Sequence, residues 1–460
     1  MPIDKSSFTF QSHYIGQWTR IDAPQEQFFG TLFIDQQKIW IELCSIDSMS
    51  KSFDNIDVLN GCTYSIDDTG KESAVNIFVE GLKFVRYFHS GNGLNLMHYT
   101  YSVDCIYIYE GELHKDKIGA LTIRSTILDK WASPIMIGAY HNEVFKQLPL
   151  SHHAIYFIPP YPYTLLKSRD FFVAIKFYCK YQIGGINQGV EQNAFLYVST
   201  HKKCSLTDFQ TYVNQFHYLL FLLTNTILPI DYMFCEDGSN TFIIKPNEQQ
   251  LCRYIEPHNI IDPVTTSEDF SAEEIQSIFF QWVELYNKYG NAINTFFESL
   301  TNIYTSPASQ IKNFISSIDA LTKEINGNLG VVHPECKRAK TLENIFNRNI
   351  LTLDEKNRLK GWLLLEKGTE LKSRFSKMLE QISKYLPTNL DKDFVEKIVN
   401  TRNNITHPSG EESFCFDSNE YRKVSYELNY IIRAYLLDSI GVREDIINKL
   451  IGNLIRLKLY

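Results

Sequence analysis

Beyond Ser271-Ala-Glu-Glu274 every periodic stretch of this chain has helical spacing, whereas its first 200 residues are dominated by short β-type runs. A side-chain period of two suits a pleated strand and a period near 3.6 suits a helix, so the two parts cannot share one layer of structure. The expected fold class is α+β and multidomain. A β-rich, sandwich or barrel-like domain with one packed helix should occupy residues 1–268, and an all-α bundle residues 269–460.

The β-type runs fall at residues 31–34, 38–44, 75–79, 106–109, 155–158 and 171–178, rich in Ile, Val, Tyr, Phe and Thr. From Ser205 the positions Leu206, Phe209, Tyr212, Val213, Phe216, Leu219, Leu220 and Leu223 recur every three or four residues, which predicts a helix with one face on the sheet. Two more strand-like runs follow at 232–235 and 241–244. The domain boundary lies near residues 257–271, where Pro257, Pro263 and Thr265-Thr266-Ser267 precede the S-x-x-E capping box at Ser271. Further helices are expected after Pro307, after a second capping pattern at Thr352-Leu-Asp-Glu355, over 370–386 up to Pro387, over 391–406, and from about Asn419 onward.

The net charge of -8 excludes a uniformly basic nucleic-acid binder. The charge is unevenly divided: residues 1–270 hold 20 basic and 29 acidic side chains, residues 271–460 hold 25 and 24. Nine scattered cysteines with no C-x-x-C pair are expected to be reduced thiols. The start lacks the pattern of a secretory leader, and the greasiest run, residues 218–223, is far short of the ~20 residues needed to cross a bilayer. A cytoplasmic protein with no membrane association is expected.

Most motif-like clusters reduce to turns. Gly184-Gly185-Ile-Asn-Gln-Gly189 and Gly91-Asn-Gly93 lack dinucleotide-loop spacing, and Gly70-Lys71 is followed by Glu72 in place of Ser or Thr. The pairs His201/Cys204 and His333/Cys336 supply zinc-type ligands but are far apart in the chain, so no metal and no cofactor are expected.

Arg402-Asn403-Asn404-Ile405-Thr406-His407, followed by Pro408, is different in kind. A similar spacing at Arg253 and His258 lies in a Pro-containing segment with no helical pattern and is read as coincidence. Arg402 closes a helix whose apolar positions are Phe394, Val395, Ile398, Val399 and Ile405. On a continuous helix residues five apart point about 140° from each other. Pro408 disfavours the α conformation at His407, which frees the imidazole to turn toward the arginine. Arginine is a permanent cation that grips phosphate with two parallel hydrogen bonds, and histidine exchanges a proton near neutral pH. The pair is minimal equipment for metal-independent RNA cleavage; the plainer alternative is a surface arginine and a helix-end histidine.

The sequence Ile398-Val-Asn-Thr-Arg402-Asn403-Asn-Ile-Thr-His407 resembles the R-N-x3-H signature of HEPN ribonucleases. The upstream Phe314-Ile-Ser-Ser-Ile-Asp319-Ala-Leu-Thr-Lys323 resembles their second recurring segment, where the family often has Glu in place of Asp319. The chain is most similar to ApeA-type anti-phage proteins, in which a β-rich N-terminal domain precedes an ApeA-like HEPN domain. Trp18, Gly30-Thr-Leu-Phe33, an Asn60-Gly61 turn and Trp131 fit that N-terminal domain.

The resemblance implies a HEPN helical bundle that dimerises, joining two motifs in one cleft, and an RNase activity restrained until infection, with tRNA as the target. His407 would be the general base or acid, Arg402 the phosphate-binding residue, Asn403 a polar positioning residue and Asp319 an orienter of Arg402. RNA would be held by a local basic cleft that includes Lys337, Arg338, Lys340 and Arg374. The acidic N-terminal domain would sense a phage-derived trigger or restrain its neighbour. Two alternatives stay open: a non-catalytic HEPN module that binds RNA or protein, and a ligand-binding β domain with the helices as a dimerisation platform.

Overall fold

The computed structural model describes residues 13–35, 38–46, 56–66, 72–90, 96–109, 113, 115, 117–132, 163–169, 171–182, 189–226, 230–235, 241–245, 263–302, 305–324, 344–345, 352, 355, 371–387, 390, 393–406 and 414–457. Contacts gather these into two compact units, Met1–Val283 and Glu284–Tyr460.

The first unit is built on strands β1 (His13–Arg20), β2 (Gln27–Ile34), β3 (Ile39–Ile46), β4 (Val58–Ile66), β5 (Glu72–Glu80), β6 (Lys83–Ser90), β7 (Leu96–Ser102), β8 (Cys105–Tyr109) and β9 (Ile118–Arg124). Helix α1 (Thr126–Ala132), strands β10 (Tyr163–Lys167), β11 (Phe171–Gln182) and β12 (Gly189–Cys204), helix α2 (Leu206–Thr224), and strands β13 (Tyr232–Cys235) and β14 (Thr241–Ile244) follow. Among the described residues all fourteen strands join one sheet in the order β10-β11-β12-β9-β13-β14-β8-β5-β4-β1-β2-β3-β7-β6. Every pairing in it is antiparallel.

Burial follows the layers. Along β1, Tyr14 and Trp18 are buried while Ile15 and Gln17 between them are not, the alternation of a sheet with one covered face. In β8, β13 and β14 every residue is buried, so both faces of the central strands are covered. Trp18, Phe28, Leu43, Ile77, Ile108, Phe234 and Phe242, drawn from widely separated strands, share one hydrophobic core.

One sequence expectation is corrected here. Asn60-Gly61 is no turn; it lies inside β4, where Gly61 pairs with Trp18 of β1 and Ile77 of β5. A Cβ on Gly61 would sit 2.5 Å from Trp18 Cε3, so the glycine is there to let the indole lie flat on the backbone. Trp18 is fully buried and its Nε1 donates to the Gly30 carbonyl at 3.1 Å.

Helix α2 starts at Ser205, whose hydroxyl accepts from Asp208 N while the Asp208 carboxylate accepts from Ser205 N, and it ends at Asn225 with a left-handed φ of 55°. Of its predicted face, Phe209, Val213, Phe216, Leu219, Leu220 and Leu223 are buried, while Leu206 and Tyr212 are half-buried. Helix α3 (Ala272–Thr301) opens on the Ser271/Glu274 box, each partner accepting from the other's backbone N–H. Its first turns pack on α2: Phe279 stacks on Phe216, and Trp282 Nε1 donates to the Gln215 carbonyl at 2.8 Å. The division between units therefore falls inside α3, whereas composition places the boundary at 268/269. The helix kinks at Tyr289, beside Gly290.

The second unit continues with α4 (Pro307–Leu321), α5 (Leu371–Ile382), α6 (Phe394–Thr406), α7 (Tyr421–Ser439) and α8 (Glu444–Leu457). The helical stretch expected from Asn419 is two helices, because Gly441 takes φ 75° and its N–H and that of Val442 return to Asp438 and Leu437. The Thr352/Glu355 box forms, but the run after it lies outside the described residues, as do the expected strand 155–158 and the Arg253/His258 pair.

Candidate active site

Helix α4 begins at Ser306, which caps Ser309 N, with Pro307 in the first turn where its missing N–H costs nothing. Ile311, Phe314, Ile315, Ile318 and Leu321 form its buried stripe. Polar side chains fix its position. Gln310, 1 % exposed, donates to the Ser299 carbonyl at 3.0 Å and accepts from Ser425 Oγ at 2.8 Å, while Ser317 Oγ donates to the Ala292 carbonyl. Such satisfied buried bonds set the register of α4 against α3 and α7.

Helix α6 carries the Arg402 motif. It buries Phe394, Ile398 and Thr401, while Val395, Val399 and Ile405, expected on the same apolar face, are only half-buried. A returning segment is stitched along the helix by three side chains: Asn400 Nδ2 donates to the Phe414 carbonyl at 2.9 Å, Thr401 Oγ1 accepts from Phe416 N at 2.9 Å, and Asn404 Nδ2 approaches Cys415 Sγ at 3.8 Å. Burial raises the Tyr421 phenol above its ordinary pKa, with Cys415 and Asp417 adding to the shift.

Arg402 and Asn403 stand next to these stitched positions. Arg402 is half-buried, and its Nη1 donates to Asn403 Oδ1 at 3.1 Å. Its Nε is shut off from solvent and has no hydrogen-bond partner among the described residues. Helix α6 runs through Thr406; His407 lies just outside the described residues, as do Lys337, Arg338 and Lys340.

Asp319 and Arg374 are brought together. Arg374 Nη1 donates to the Asp319 carbonyl at 2.8 Å and Nη2 to the Asp319 carboxylate, and the Arg374 side chain is only 12 % exposed. No hydrogen bond joins Asp319 to Arg402 among the described residues. The roles of Asn400, Thr401 and Asn404 were missed by sequence reasoning; the polar residues flanking the motif were the available signal.

The family model for the ApeA N-terminal domain 1 matches residues 13–282, more than half of the chain, and that for the Apea-like HEPN matches residues 312–446. The chain belongs to the ApeA family. No curated protein and no solved structure compared with it matches. As an ApeA-type protein it is an anti-phage HEPN protein, a β-rich N-terminal domain followed by a HEPN domain. The HEPN match contains Asp319, Arg374, Arg402, Asn403 and His407. Among its described residues no helix of this ApeA-type chain is long and apolar enough to cross a membrane, and no three His, Cys, Asp or Glu side chains gather as metal ligands.

Proposed function

We propose that the HEPN domain is a metal-independent endoribonuclease centred on Arg402 and His407. The observation that supports the reading is the enclosed Nε of Arg402, which has no hydrogen-bond partner among the described residues, since a buried donor left unmatched is unfavourable unless another group fills it. A phosphodiester oxygen is the group a guanidinium fork fits best. Asn403, through its bond to Nη1, holds the guanidinium in place.

In this reaction the ribose 2'-oxygen forms a bond to phosphorus as the bond from phosphorus to the 5'-oxygen breaks. His407 takes the 2'-hydroxyl proton or delivers one to the leaving 5'-oxygen, and Arg402 stabilises the charge gathering on the phosphoryl oxygens. The products are a 2',3'-cyclic phosphate and a 5'-hydroxyl end. The substrate is host RNA, with tRNA first among candidates, and the site is completed by dimerisation of HEPN domains. The acidic N-terminal domain senses a phage product or restrains the enzyme until infection.

The test is to express the full chain, His407→Ala and Arg402→Ala in cells and to sequence RNA 5' ends. Each substitution should lower cleavage by about 10²-fold or more, the usual contribution of a general acid-base or electrostatic group. Cleavage that survives both substitutions and disappears with EDTA would overturn the assignment.

A further inference from the structure

The two ends of the fourteen-stranded sheet are treated differently. Near β10 the chain covers its own edge, with Gln276 of α3 donating to the Thr164 carbonyl at 3.3 Å. At the other end, β6 has β7 on one side and, among the described residues, no strand on the other, and every residue from Lys83 to Phe88 is exposed. Four of the ten large exposed hydrophobic residues among those described lie in this one strand: Phe84 at 55 %, Val85 at 56 %, Tyr87 at 63 % and Phe88 at 46 %. The strand thus shows apolar side chains on both faces, Phe84 and Tyr87 on one and Phe88 on the other, unlike the single apolar residues that ordinary surfaces carry.

The patch is ordered by its register. Phe84 and Tyr87 pair with Tyr101 and Tyr99 of β7, which belong to the hydrophobic core, so their rings extend the core's aromatic layer past its last strand. Phe84 and Tyr87 stack on each other with centroids 6.4 Å apart. Val85 occupies a register shift, and Arg86 and Phe88 point to the opposite face, paired with Thr100 and His98, where Phe88 lies flat on His98 at 4.5 Å. Arg86 forms no ion pair among the described residues, whereas Lys83 is held by Asp104 at 2.8 Å. Neither β6 nor β7 contains an acidic residue, in a unit whose sequence is otherwise rich in them.

We infer that β6 is a docking edge for an extended segment of another protein in which apolar and acidic residues alternate. Such a segment adds a fifteenth strand: its backbone pairs with the outward N–H and C=O groups of β6, its apolar side chains cover Phe84 and Tyr87, and its carboxylates meet Arg86 on the other face. A second copy of this chain is a poorer occupant, because β6 against β6 sets Arg86 and Lys83 among like charges. RNA is a poorer one too, since on this strand a polyanion would meet Arg86 beside a Lys83 already held by Asp104, on an acidic unit, and could not use the backbone edge. The surface gives the N-terminal domain a means of recognising a protein trigger, and it stands independently of RNA cleavage.

The experiment is fluorescence anisotropy of the full chain with a fluorescein-labelled peptide of alternating valine and glutamate, its valine/lysine counterpart, and a labelled oligouridylate. The valine/glutamate peptide should bind saturably, and the other two about tenfold more weakly or worse. Arg86→Glu, an exposed change checked by its unfolding midpoint, should reverse the order of the two peptides, and Phe84→Ser with Tyr87→Ser should weaken both. Failure of the valine/glutamate peptide to saturate, equal binding to wild type and Arg86→Glu, or preferential binding of oligouridylate lost in Arg86→Glu each overturns the proposal, and none of them bears on the Arg402 site.

Discussion

The guanidinium of Arg374 closes on Asp319 from two directions, Nη1 on the backbone carbonyl and Nη2 on the carboxylate, and so ties α5 to the end of α4 across 55 residues of sequence. The Asp319 side chain is 42 % exposed and that of Arg374 is 12 % exposed, so the bond is charge-assisted but only partly shielded from water. Arg374→Ala should lower the stability of the HEPN domain by about 1–2 kcal/mol in urea denaturation. Arg374→Lys, which keeps the charge and loses the fork, should recover less than half of that.

Thr401 predicts a test of how the Arg402 helix is held. It is fully buried, donates to the Lys397 carbonyl at 2.7 Å and accepts from Phe416 N. Thr401→Val conserves volume and strands a buried N–H, so it should cost about 1–3 kcal/mol, while Thr401→Ser should stay close to wild type. Equal losses in the two variants, measured by thermal denaturation, would assign the effect to packing.

Gly61 gives a steric prediction in the N-terminal domain. With a Cβ 2.5 Å from the buried Trp18 ring, Gly61→Ala must push the indole off its bond to Gly30 and should destabilise by about 1–3 kcal/mol. Trp18 fluorescence should shift toward the red as the ring gains water; an unchanged spectrum and midpoint would refute this.

His217 sets a pH dependence. It lines a small cavity with Ile123, Leu128, Leu196, Val213 and Leu220, and burial pushes its imidazole down from 6.5 to about 4. The unfolded chain takes up this proton near pH 6.5 and the folded chain only near pH 4, so the stabilising contribution is present above 6.5 and is lost as pH falls toward 4. Urea midpoints measured between pH 7 and pH 4 should fall less steeply in His217→Phe than in wild type.

Much of the secondary structure was legible because its signals are local. Strands β13 and β14, the α2 face, the Ser271 box and the start of α4 at Pro307 follow from side-chain period and capping chemistry within a few residues. Gly61 was misread for the same reason. Asn-Gly is a strong turn signal in isolation, and only the arrival of Trp18 from β1 makes it a strand position. Gly441, by contrast, did carry a local cue, a glycine within a helical run, and it ends α7.

By itself the sequence determined where β gives way to α, where the helices are capped, and that Arg402, Asn403 and His407 stand within one short motif. Tertiary structure alone decided that β9 lies between β12 and β13, that β6 stands at the end of the sheet order, that Asp319 is held by Arg374, and that Arg402 keeps an enclosed donor without a partner among the described residues. The physical reason is range: period and capping are fixed by neighbours a turn away, whereas strand order and ion pairing depend on which distant surfaces bury each other, and many pairings satisfy the same local pattern.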